Sequence, residues 1–179
     1  MSPLQSIPQD RAAFDDVSPL IGGLVVNLAL FELALNAVVG TIYHRLDGER
    51  IERDIPVSLT KRLAFAAKAA RRLPDLASER AVLLAIVEEA TRLSSLRHDI
   101  VNGYLAEYDA AGLRPMRFAR MRTDRGTRRT EEITLRRITT DDLARASDDA
   151  IELASRTALL SKRLLAEPPA GDGGAIALS

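Results

Sequence analysis

The chain contains no cysteine, which excludes disulfides, thiolate metal sites and a cysteine nucleophile. Only two histidines occur, His44 and His98. They lie too far apart in sequence to form a helical zinc-binding pair, so no metal and no cofactor is expected. Aromatic residues make up 4%, and Phe118 is the one stacking candidate near the most basic segment, so recognition of single-stranded bases by stacking is weakly supported. An excess of one charge is missing too. Lys+Arg and Asp+Glu both number 25, so any pull toward nucleic acid must come from local patches. Lysine is scarce, with Lys61, Lys68 and Lys162 alone among many arginines. What is present is 46% hydrophobic and 28% charged residues over 179 positions, the composition of one soluble domain with a real core.

The N-terminus lacks a basic stretch followed by an apolar run and a small-residue cleavage site, so no secretory signal is expected. Val17 to Ile42 holds one charge, Glu32. Asn27, Glu32 and Asn36 interrupt it, and a mid-span carboxylate is costly in lipid. A core helix and a cytoplasmic protein without a membrane span are the expectation.

Residues 1–17, with Pro3 and Pro8, read as a loose arm. Ser18-Pro19 supplies a cap and a first-turn proline for a helix running to about Leu46, which Asp47-Gly48 ends. Ser58 opens a second, basic helix that stops at Pro74. Asp75 or Ser78 caps a third, with Val82, Leu83, Ile86, Val87, Ala90, Leu93 and Leu96 at helical period. Met116–Arg122 and Thr130–Ile138 alternate apolar and polar residues around a Gly126 turn, which predicts a β-hairpin over about 116–138. Thr139-Thr140-Asp141-Asp142 caps a last helix carrying Leu143, Ala146, Ala150, Ile151, Ala154, Ala158, Leu164 and Leu165. Residues 167–179 read as a disordered Pro/Gly tail. The expected fold is all-α: an up-and-down bundle of four main helices spanning 18–166, with the hairpin inserted between helices three and four. Leu28, Leu35, Leu63, Leu83, Ile86, Val87, Ile151 and Leu164 are its expected core.

The third helix closes on Leu96-Arg97-His98-Asp99-Ile100-Val101-Asn102-Gly103-Tyr104. A guanidinium, an imidazole, a carboxylate, a carboxamide and a phenol gather within about two helical turns. On residue chemistry alone, this is either a solvated helix terminus, with Asp99 paired to an arginine and Asn102 or Gly103 as C-cap, or a site. The segment resembles the signature of the HEPN superfamily (higher eukaryotes and prokaryotes nucleotide-binding domains). In that signature an Arg is followed, after four to six residues, by a His, often with Asn after the Arg and sometimes Tyr two after the His. Arg97 and Tyr104 fit. His98 and Asn102 stand exchanged. Phe31–Val39 in the first helix and the Ser58/Lys61 region of the second are similar to the superfamily as well.

The resemblance implies a homodimer whose interface includes residues 97–104, and a composite, metal-independent ribonuclease site. In such a site the ribose 2′-hydroxyl attacks the adjacent phosphate. Arg97 would clamp phosphate, and Tyr104 would lie nearby as a donor or as the target of a nucleotidyltransferase antitoxin in a toxin–antitoxin or defence system. Asn102 cannot shuttle protons, because a carboxamide does not titrate in the useful range. His98 lies about 40° around the helix and one turn away, on the same patch. The catalytic candidates are therefore Arg97, His98 and Asn102 in a degenerate or altered site. Arg97, Tyr104, Glu32 and Asn36 are the candidates for RNA or nucleotide binding. Glu32 needs a partner on an apolar helix, with Arg97 or another core-edge arginine as candidates. Residues 114–137 hold nine arginines, which either contact phosphates or form a solvated face. The alternative from another class is a catalytically silent dimeric interaction module.

Overall fold

The computed structural model describes residues 11–108, 115–123, 126 and 129–166, with side chains from residue 15 onward. Most of them are helical, and a small three-stranded antiparallel sheet completes the fold. Contacts group the chain into two units, 1–28 with 92–150 and 29–91 with 151–179. The expected tail and the first ten residues lie outside the described residues.

Helix α1 spans Arg11–Arg45. It starts before the expected Ser18-Pro19 cap, and residues 11–17, expected in the arm, form its first turns. Pro19 sits inside it, where the missing N–H and the crowded ring cost about 3 kcal/mol. Val17, 2% exposed, shows burial continuing past the proline, which offsets that cost. Leu24, Leu28, Phe31, Leu35, Val38 and Ile42 are buried at alternating steps of four and three, a single apolar seam. A second apolar stripe, Val26, Leu30 and Leu33, is 59%, 48% and 68% exposed. By length and composition alone α1 could cross a membrane, and 39% of its most apolar window is buried. After α1, Asp47 is left-handed at φ 56°. A Cβ on Gly48 would lie 2.7 Å from the Ile42 carbonyl and 2.9 Å from Phe65, so only glycine follows it without displacement.

Helix α2, Leu59–Arg72, starts where the Ser58 hydroxyl accepts the Lys61 N–H. It ends at Leu73, which Pro74 holds extended. Helix α3, Arg80–Val101, follows a 3₁₀ turn at Pro74–Leu76. Its first intrahelical acceptor is the carbonyl of Glu79, so neither Asp75 nor Ser78 is the cap. The Glu79 carboxylate instead takes both Arg163 Nε and Nη2 at 2.8 Å, a two-pronged tie to the end of α4.

Helix α4, Thr140–Ala166, buries Leu143, Ala146, Ala150, Leu153, Thr157, Leu160 and Leu164, again at steps of three and four. Ile151, expected in the core, is 48% exposed, because it lies about 100° around the helix from Ala150. Val87 is half-buried for the same reason beside Ile86. The remaining expected core positions are buried. At the start of α4, the Asp142 Oδ2 accepts the Thr139 N–H at 3.0 Å and the Thr139 hydroxyl at 2.7 Å. The Asp142 N–H in turn donates to that hydroxyl at 3.1 Å, a reciprocal cap.

The Thr139 hydroxyl, the Thr139 N–H and Arg145 lower the Asp142 pKa from 3.8 to about 2. A depressed folded pKa contributes stability above the unfolded value that is lost as pH falls through the folded one. Wild-type Tm should therefore drop more steeply than that of Asp142→Asn between about pH 4 and pH 2. Parallel melting curves over that window would show that the cap carries no such linkage.

The sheet comprises β1 Tyr104–Glu107, β2 Met116–Thr123 and β3 Thr130–Ile138 in the order β1-β2-β3. β1 was not expected. Residue 104, read as the helix end, is the first residue of a strand. Leu105, Met116, Phe118 and Ile138 are buried, and the β2–β3 register shifts between Phe118 and Ala119.

Candidate functional site

The end of α3 places the signature residues one by one. The Asn102 backbone N–H donates to the His98 carbonyl at 3.0 Å, and its side-chain Nδ2 donates to the same carbonyl at 2.9 Å. That carbonyl fixes the amide orientation. Nδ2 therefore also faces the His98 Nδ1, 3.0 Å away. Nδ1 must accept, so the neutral ring carries its proton on Nε2. The structure thus brings the exchanged pair into direct contact, and the carboxamide caps the last turn. His98 is exposed, and its Nε2–H is left for something outside the helix.

Gly103 turns the chain from helix into strand. A Cβ there would lie 2.7 Å from the Asp99 carbonyl and 3.0 Å from that of Ala119. The turn carries Tyr104 away from the helix and pairs it with Ala119. Its hydroxyl donates to Glu132 Oε2 and lies 3.6 Å from Met121 Sδ. Glu132 Oε1 takes Arg117 Nη1, and Arg117 Nε lies 3.0 Å from Glu107. Hydrogen bonds from Tyr104, then Arg117, hold the Glu132 carboxyl below its usual range. The bond to Glu132 raises the Tyr104 phenol, because deprotonation would set two anions together. Tyr104 is therefore a poor proton donor to a ligand while this network stands. Sequence reasoning missed Glu107, Arg117 and Glu132. Their only signal was opposite charge at alternate strand positions.

Arg97 is different. It is half-buried, its Nε is shielded from solvent with no acceptor, and it forms no ion pair among the described residues. The Ser94 hydroxyl, one turn back, is shielded and unpaired too. The neighbouring Asp99 is occupied: Arg136 Nε and Nη2 reach its Oδ2 at 3.0 and 2.6 Å. Glu32 and Asn36 belong to the other unit, half-buried and exposed respectively. Glu32 forms no ion pair among the described residues. Nor do any three His, Asp or Glu side chains gather there as a metal ion would need.

Compared with family models, curated proteins and solved structures, the chain matches none of them.

Proposed function

We propose that the chain is a HEPN-like RNA- or nucleotide-binding protein whose ribonuclease site is degenerate, so that it holds phosphate without cutting it. The observation that carries this reading is Arg97. A shielded guanidinium donor without an acceptor is costly unless a ligand supplies one, and a planar fork suits phosphate. Two features speak for binding over cleavage. The His98 Nδ1 is engaged by Asn102, and Tyr104 is committed to Glu132. In this reading the four helices form an up-and-down bundle with the β2–β3 hairpin between α3 and α4. The protein works as a homodimer, with the exposed Val26–Leu30–Leu33 stripe of α1 as available apolar surface. That stripe equally favours the second reading, a silent dimeric interaction module.

Incubation with total RNA at low salt, where phosphate contacts are strongest, separates the two. Retention of intact RNA by a species with twice the chain mass in light scattering is the expected result. A dimer that retains neither RNA nor nucleotide leaves the interaction module. A monomer at micromolar concentration removes the composite site.

A further inference from the structure

We propose a phosphate-binding cleft whose lining does not include Arg97, in the unit formed by residues 1–28 and 92–150. It encloses about 320 Å³ and is lined by Arg92 of α3, Arg136 and Arg137 of β3, and Asp142, Arg145 and Asp149 of α4. The inference rests on the phosphate-binding reading above and gives that reading a second anchor.

Three of the four guanidiniums are held in place. Arg92 Nη2 lies 2.6 Å from Asp149 Oδ2, Arg136 donates twice to Asp99 Oδ2, and Arg145 donates to Asp142. Each guanidinium has five N–H donors, and these bonds use one or two. The remainder stay available in side chains whose freedom is already restricted, which lowers the entropy lost on binding an anion. Asp149, Asp99 and Asp142 balance three of the four guanidiniums, which leaves the cleft one positive charge in excess, at Arg137. Arg137 is exposed and forms no ion pair among the described residues.

Leu96, Ile138 and Ala146 add buried apolar side chains to the wall, against which a sugar can rest. The volume sits at the small end of ligand pockets, roughly 300–1,000 Å³. It suits one phosphate with its ribose, either as a free mononucleotide or as one unit of an RNA strand.

Adenosine monophosphate and a short oligoribonucleotide, titrated against the full chain at low salt by calorimetry, test the cleft. The variants are Arg92→Gln with Arg145→Gln, whose side chains are 58% and 71% exposed, and Arg137→Gln, which breaks no ion pair among the described residues. Far-ultraviolet circular dichroism checks their folding. The double variant should bind about tenfold or more weakly, and Arg137→Gln about threefold, in line with charge-assisted contacts. Should the double variant lose its fold, Arg137→Gln decides alone. Wild-type binding of both ligands assigns a mononucleotide cleft, and binding of the oligonucleotide alone assigns one strand phosphate. Wild-type-like affinity in the variants, with loss in Arg97→Ala, overturns the cleft and leaves the first reading standing. Failure of the wild type to bind either ligand overturns both.

Discussion

Leu83→Ala is expected to destabilise the chain by about 2–5 kcal/mol, because it empties a packed position in the core. Leu83 is 0% exposed on α3, while the adjacent Val82 is 38% exposed. One step along a helix turns a side chain by about 100°, so the two residues test the same helix on two faces. Val82→Ala should cost under about 1 kcal/mol, since surface changes away from special features are small. Urea unfolding at constant m-value reads both. A Leu83→Ala change below about half a kcal/mol, or a Val82→Ala change as large as that of Leu83, would show that α3 buries a different face.

The contrast between these neighbours also marks how far the sequence could be read. Helix α3 carries one dominant stripe through Leu83, Ile86, Ala90 and Leu93, and all four are buried. Helix α4 carries two. Ile151, Ala158 and Leu165 compete with Leu153, Thr157 and Leu160, and the structure buries the second set. Hydropathy cannot choose between stripes of equal strength when the choice depends on partner helices, and it misleads where Thr157 donates its hydroxyl to its own helix, at the Leu153 carbonyl, and so enters the core satisfied. Pro19 reads as a helix start because the local rule is strong. Packing at Val17 is non-local and outweighs it.

The site follows the same division. The i, i+4 contact of His98 with Asn102 was legible from spacing, and the C-cap was one of the two readings left open. Tyr104 was not legible, because its partner Glu132 is 28 residues on and because a four-residue strand carries almost no period. Arg136, which occupies Asp99, is equally remote in sequence.

Arg97→Ala should abolish RNA or nucleotide binding while leaving the fold intact. Among the described residues its guanidinium makes no ion pair that the fold would lose, and its Nε has no hydrogen-bond partner. Loss of cooperative unfolding in that variant would instead make Arg97 a structural residue and remove the carrying observation. The sharper test exchanges His98→Asn with Asn102→His, which restores the usual order of the HEPN signature. In the present order the carboxamide occupies the position after the last helical residue and donates to the His98 backbone carbonyl, while the imidazole is carried one turn back, on a Cβ about 5–6 Å from that of residue 102. Proton transfer tolerates displacements of fractions of an ångström, so an imidazole so placed is expected to leave the wild type without cleavage. The exchanged variant puts the imidazole on the last turn and should gain metal-independent cutting that leaves a 2′,3′-cyclic phosphate. Cleavage by the wild type that requires His98 and survives Asn102→Ala would show that His98 itself transfers the proton. A double variant that still binds RNA and cuts nothing would show that position 102 is a cap and not a displaced catalytic site. Tyr104 held by Glu132 would then mark this end of α3 as a binding surface only.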